Sequence, residues 1–240
     1  MIKFFRHIRK SLIQKNQMGK YLKYAIGEIL LVVLGILIAL QINNWNENRK
    51  NKITEKQLVE RFKLDIEANI TELHRIINKT ENTHLYIDSI LNEYEHQAHN
   101  FSLKELGILL IKGRSFTVYG TSEGSINDII GSGQLDLISN DSIRYAIGSW
   151  QSNLKPIREW EKIDRETTDT YRARLDTYLD LLNRSKGTML NQKSKEAIFK
   201  DRVFINYLVD RKVYPKLLNG LYQEELIKME RLLKHIEEAL

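Results

Sequence analysis

Residues 59–94 read VERFKLDIEANITELHRIINKTENTHLYIDSILNEY. Within them Val59, Phe62, Ile66, Ile70, Leu73, Ile77, Thr80, His84, Ile87, Leu91 and Tyr94 recur at steps of three and four. A helix returns one face every 3.5 to 3.6 residues and a strand every two, so this rhythm of about five heptads predicts a helix of about 50 residues. No stretch sustains a period of two, and the chain holds only two prolines. The expected class is therefore all-α.

Downstream, Ser102 and Glu105 form a capping box ahead of Leu103 to Ile111, a short helix expected to end near Gly113. Phe116 to Tyr119 reads as a brief extended piece. A second short helix is expected from Ser122 to Ile130, stopping at Gly131 or Gly133, both suited to a left-handed terminus. Asn140 or Asp141 then caps a long run: Ile143, Ile147, Trp150, Leu154, Ile157, Glu161, Asp164, Thr168, Tyr171, Leu175, Tyr178 and Leu182. Pro156 is expected to kink this run, and Glu161, Asp164 and Thr168 to leave its middle poorly packed or facing a groove. A last helical region from Ser194 carries Phe204, Leu208, Leu218, Leu221, Met229, Leu233 and Ile236, with interruptions expected at Pro215 and at Asn219 and Gly220. Three long helices then make an elongated antiparallel bundle with a small helical insertion.

Upstream lies YLKYAIGEILLVVLGILIALQINNW, residues 21–45. Twelve Leu, Ile and Val residues fall between Ile26 and Ile42, favouring bilayer insertion by roughly 4–7 kcal/mol. Glu28 opposes them weakly, since a carboxylate costs about 3 kcal/mol at the bilayer centre and much less at the boundary. From Tyr24 to Trp45 a helix rises roughly 33 Å, enough to cross a hydrocarbon core of about 30 Å with an aromatic ring at each interface. The expected organisation is a basic arm at 1–19, a transmembrane helix at 20–46 and a helical domain at 47–240, whose insertion falls at about 101–138.

The formal charge of +6 divides unevenly. Residues 1–24 carry Lys3, Arg6, Arg9, Lys10, Lys15, Lys20 and Lys23 and no acid, a charge of +7. Removing those seven from the 37 basic residues leaves 30 against 31 acidic ones, a charge of −1 for the rest. A basic nucleic-acid face on the large domain loses its support, and a lipid-surface arm gains it. Met1, Phe5, Ile8 and Leu12 share a helical face away from most of those charges, which suits an interfacial helix or a positive-inside signal. The arm outweighs Arg49, Lys50, Lys52 and Lys56, so the N-terminus is expected in the cytoplasm and the large domain in the periplasm, held at the inner membrane. No small-x-small site follows Ala39, and cleavage as a signal peptide is not expected. Cysteine is absent, which excludes disulfides and thiol catalysis.

The stretch YAIGEILLVVLGILIALQINNWN, preceded by MIKFFRHIRK, resembles a family of small single-pass membrane proteins widespread in Bacteroidota. The resemblance extends over the full length, including GSGQLDLISNDSIRYAI at 131–147, and is most specific at the anchor. It implies an anchor, a helical fold and an envelope location, and it implies no catalytic residue.

Several residues invite chemical readings. Gly27, Leu31, Gly35 and Ala39 fall on one stripe of the anchor, where small residues let a second helix approach closely. Glu28 beside them is an ionisable group in a span, open to a partner's salt bridge, to a role as a proton site or to snorkelling. Gly120 to Gly124 matches a nucleophile elbow centred on Ser122, but the only later histidine is His235 in the terminal helix. A helix cap from Thr121 or Ser122 explains the same residues. His96 and His99, with Glu93 and Glu95 beside them, are metal candidates at a three-residue spacing, and polar residues closing an exposed helix explain the same stretch. Asp88–Ser89–Ile90 and Asp141–Ser142–Ile143 resemble O-glycosylation triplets. No phosphate-binding glycine loop is present, and no cofactor or small-molecule substrate is evident.

The leading expectation is a non-enzymatic envelope adaptor or assembly subunit, bound to the lipid bilayer and acting on a protein partner or as a homo-oligomer. The alternative is a periplasmic ligand-sensing module signalling through a partner, and the remote alternative is an envelope serine hydrolase.

Overall fold

The structure is a computed structural model that describes residues 18–97 and 100–240. The expected arm therefore lies largely outside the described residues, Lys3, Arg6, Arg9, Lys10 and Lys15 included. Among the described residues there are helices and no strand. They are α1 (Met18–Glu95), α2 (Leu103–Lys112), α3 (Gly124–Gly131), α4 (Asp141–Gly148), α5 (Trp150–Leu175), α6 (Gln192–Lys200) and α7 (Arg202–Ala239). Short 3-10 turns stand at Leu135–Leu137 and Leu181–Asn183.

The chain divides into two units between Glu55 and Lys56. In the first, the apolar window of α1 is long enough to cross a membrane, and none of it is buried against the chain. Ile29, Leu31, Leu34 and Leu37 are each more than half exposed. Water solvates such a surface poorly, and a bilayer removes the cost.

In the second unit α7 runs against both other long helices. Lys63 pairs with Glu237 and Asp88 with Lys212 between α1 and α7, while Tyr171 stacks on Phe204 and Glu161 meets Tyr222 between α5 and α7. In both cases rising residue numbers on one helix meet falling numbers on α7, so α1 and α5 share a direction, and Phe62 of α1 packs edge-on against Trp150 of α5.

Two apolar cores fill this unit. One gathers Phe62, Ile66, Leu73 and Ile76 of α1, Ile126 and Ile129 of α3, Ile143 and Ile147 of α4, Trp150, Leu154 and Ile157 of α5, and Leu218, Tyr222 and Met229 of α7. The other gathers Ile87, Ile90 and Leu91 of α1, Leu106 and Leu110 of α2, Tyr171 and Leu175 of α5, Ile198 of α6, and Phe204, Ile205 and Leu208 of α7. Between them the three long helices bury polar residues: Thr80 and Thr83 on α1, Glu161, Asp164 and Thr168 on α5, and Arg211, followed by Pro215, on α7.

The caps form as their sequences dictate. Ser102 and Glu105 complete the capping box of α2, and Asn140 accepts from Ser142 and Ile143 at the start of α4. Gly133 ends α3 at φ 68°, with the amides of Gly133 and Gln134 donating back to Ile130 and Ile129, the left-handed terminus expected.

Four expectations are corrected. The buried seam of α1 passes through Asn69, Ile76 and Thr83, with Ile70, Ile77 and His84 beside it. The long run from Ile143 breaks at Ser149 and ends at Leu175, leaving Leu182 at 92% exposure. The last region divides at Asp201, whose carboxylate accepts from the Val203 amide and so starts a new helix. Neither Pro215 nor Asn219 and Gly220 interrupts α7. A proline inside a helix costs about 3 kcal/mol, less than the burial of Leu208, Leu218 and Tyr222 on either side returns at about 1.5–3 kcal/mol each. Helix α5 likewise continues through Pro156, which lies on its exposed side.

Candidate functional site

The segment from Gly113 to Ser125 carries the chain back between the long helices with almost no hydrogen bonds of its own, and buried main-chain groups require partners. Side chains of α1, α5 and α7 supply them in sequence. Tyr171 donates to the carbonyl of Leu110 at 2.9 Å, just before the segment begins. Arg211 donates to the carbonyl of Ser115 at 2.7 Å and, at 3.4 Å, to that of Gly113. Lys79 reaches the Phe116 carbonyl at 2.9 Å. Glu161 receives the Tyr119 amide at 2.6 Å and the Tyr222 hydroxyl at 2.8 Å, while Arg158 donates to the Tyr119 carbonyl at 2.8 Å.

Arg211 also donates to Asp164, and this pair is the centre of the polar layer. Burial pushes the Asp164 carboxyl above the ordinary range, with Arg211 opposing. Gly113 abuts the layer so closely that a Cβ there would come within 2.5 Å of the Ile87 Cδ1. The middle of α5 is thus filled from within the chain, correcting the expectation of a groove or poor packing at Glu161, Asp164 and Thr168.

Ser122 sits at the far end of the same segment. Its amide donates to Asn69 Oδ1 at 2.8 Å, its carbonyl accepts from Asn69 Nδ2 at 2.9 Å, and its hydroxyl donates to Asp65 at 2.6 Å. Asp65 also receives the amide and hydroxyl of Ser125, at 2.7 and 2.6 Å. Burial alone would raise the Asp65 carboxyl, but these hydrogen bonds more than offset it and hold it below the ordinary range. The arrangement caps α3 from a neighbouring helix: Glu123, the residue before α3, makes no side-chain cap. Asp65 takes the proton side of the Ser122 hydroxyl, the place a histidine would take in a nucleophile elbow.

The remaining sequence candidates are not brought together. His96 is exposed, His99 lies outside the described residues, and among the described residues no three metal-ligating side chains cluster. Glu93 turns inward to Lys195 at 2.9 Å and to the Asn100 amide at 3.1 Å. Gly27, Leu31, Gly35 and Ala39 are exposed, and a Cβ at Gly27 or Gly35 would meet nothing in this chain. Glu28 is partly exposed, with Lys20 and Lys23 exposed nearby on α1. Ser89 spends its hydroxyl on the Leu85 carbonyl within α1, and Ser142 is exposed in the first turn of α4.

Arg211, Arg158, Tyr222, Asp65 and Asn69 are not singled out by sequence. One signal could have found Arg211. Phe204, Leu208, Arg211, Pro215, Leu218, Tyr222, Glu225, Met229 and Ile236 are buried and hold one register of α7, so a cation stands where the rhythm calls for an apolar residue.

Residues 28–208 match the model of a family described as Family of unknown function (DUF6090). The match takes in most of the apolar window, the returning segment and α5, and it ends before Arg211. No curated protein and no solved structure matches the chain.

Proposed function

The chain belongs to DUF6090, and from that premise we propose that it is a single-pass membrane protein whose helical domain works non-enzymatically, through protein contacts, as an envelope adaptor or assembly subunit. The observation that carries this reading is the use made of the domain's reactive groups. Asp65, Glu161 and Arg211 bond the chain's own returning segment, Asp164 and Tyr222 hold Arg211 and Glu161 in turn, and the Ser122 hydroxyl is spent on Asp65. An anchor whose apolar window touches none of the chain then sets where the domain acts.

In this reading the unit from Lys56 is an antiparallel bundle with a short-helix insertion. The basic excess before the anchor keeps the N-terminus in the cytoplasm and sends the bundle to the periplasmic side of the inner membrane. The heptad seam of α1 is consumed by α5 and α7, so a partner meets other surfaces. The Gly27, Leu31, Gly35 and Ala39 stripe is one such surface inside the bilayer. The ligand-sensing reading loses the feature that suggested it, because the polar stretch of α5 is occupied by Arg211 and Tyr222.

Crosslinking in intact cells followed by purification in mild detergent tests the proposal. A stoichiometric partner or a homo-oligomer supports it, and a clean monomer without crosslinks removes it. Topology is read with Ser185→Cys, an exposed position in a chain without cysteine. Labelling by an impermeant maleimide in cells with a permeable outer membrane supports a periplasmic bundle, and labelling only after lysis reverses the orientation.

A further inference from the structure

Where α5 ends, a cavity of about 480 Å³ opens between Ile111, Arg114, Ser115, Arg172, Leu181 and Arg184. Three of its six lining residues are arginines, and none is acidic. The volume falls within the range of about 300–1,000 Å³ common to small-molecule sites.

Two of the guanidinium groups are held in place. Arg114 forms a two-pronged pair with Asp176. Arg172 donates from Nε to the Arg114 carbonyl at 2.8 Å, reaches Asp169 at 3.3 Å, and lies over the Phe116 ring at 5.2 Å. Those contacts serve the fold and fix both groups before any ligand arrives, which lowers the cost of binding. Arg184 differs. It is exposed, and among the described residues its side chain makes no hydrogen bond or ion pair.

Arginine presents a planar fork of donors matched to phosphoryl and carboxylate oxygens; Arg184 offers a whole fork, while Arg114 and Arg172, each shared with an aspartate, add only their remaining N–H donors for the same anionic group. Ile111 and Leu181 supply an apolar wall for the body that carries it. We infer that this cavity binds a phosphate monoester, with Arg184 as the group that closes on the phosphoryl oxygens and Arg114 and Arg172 as its fixed floor. The inference goes beyond the adaptor reading and is independent of it: the presence or absence of a protein partner leaves it unchanged.

The same phosphoryl chemistry is offered by a soluble metabolite and by a lipid headgroup. The test uses the full chain in phosphatidylcholine nanodiscs at low salt, titrated with glycerol 3-phosphate. Saturable binding to the wild type, weakened at least tenfold in Arg184→Ala and lost in Arg184→Glu, supports a soluble ligand. Because only the main chain of Arg184 bonds within the fold, both side-chain variants are expected to keep the wild-type circular dichroism. In a second arm, phenylglyoxal modification of Arg184 is compared between those nanodiscs and nanodiscs containing phosphatidic acid. Protection of Arg184 only in the latter supports a lipid headgroup. No saturable binding and no protection, or equal affinity of wild type and Arg184→Ala, overturns the inference.

Discussion

Arg211 of α7 pairs with Asp164 of α5 where neither side chain reaches solvent, at 0% and 2% exposure. Apolar cores lie on both sides of the pair, so it stands as an ionic layer inside a heptad-packed unit. A buried pair adds little net stability, because desolvation consumes most of the attraction. What it adds here is register. Sliding α7 by one heptad would bring Phe204 opposite Asp164 and would strand both charges in an apolar core.

Removing one partner is therefore expected to be far worse than removing both. Arg211→Met leaves Asp164 buried and unpaired and should lower stability by about 3–5 kcal/mol. Adding Asp164→Leu should recover part of that loss. Recovery stays incomplete, because the carbonyls of Gly113 and Ser115 still lack their donor. Chemical denaturation of the detergent-solubilised full chain measures all three.

Tyr119 and Tyr222 meet edge-on at 6.4 Å between ring centres, yet their hydroxyls differ in role. The Tyr222 hydroxyl donates to Glu161, and the Tyr119 hydroxyl is buried without a hydrogen-bond partner among the described residues. Tyr222→Phe should cost about 1–3 kcal/mol, since it leaves a buried acceptor short. Tyr119→Phe should be neutral or slightly stabilising, because it removes an unpartnered polar atom. Equal losses from the two substitutions would contradict this account.

Glu225 is buried in α7, with exposed Lys228 at 3.3 Å as its partner. Burial raises its carboxyl above the ordinary range against the opposing lysine. The folded state then holds this proton more tightly than the unfolded state. Its contribution to stability is present below the unfolded glutamate pKa of about 4.3 and declines as pH rises through the folded value. Glu225→Gln should thus raise the melting temperature at pH 7.5 and leave it nearly unchanged at pH 4, measured by thermal unfolding at both.

The anchor rests on roughly 4–7 kcal/mol of apolar transfer, and one arginine near its centre costs about 2.5–3.5 kcal/mol. Leu34→Arg should leave a substantial fraction in the membrane after alkaline carbonate extraction. Leu34→Arg with Leu37→Arg should release most of the chain. Full retention of the double variant would show that something other than the apolar window holds the protein.

Legibility varies from helix to helix for physical reasons. Along α4 and α5 every expected core position from Ile143 to Leu175 is buried, Glu161, Asp164 and Thr168 included, because the spacing persists through the polar residues. On α1 the apolar spacing runs through Ile70, Ile77 and His84, one residue beyond the true seam at Asn69, Ile76 and Thr83. Asn69 and Thr83 are polar and so read as surface. They are buried because Asn69 binds the Ser122 main chain and Thr83 returns its hydroxyl to the Lys79 carbonyl. On α7, Arg211, Pro215 and Glu225 hide a register that the buried residues around them keep.

The amino-acid sequence by itself determined the helical class, the apolar window and the cap at Ser102, and it narrowed the start of α4 to Asn140 or Asp141. These depend on residues within a turn or two of one another, or on hydrophobic content alone. Only the tertiary structure decided that Asp164 finds Arg211, that Asn69 and Asp65 hold the chain at Ser122, and that α7 passes unbroken through Pro215. Each joins residues far apart in the chain, and a buried polar group reveals its purpose only when folding brings its partner into reach.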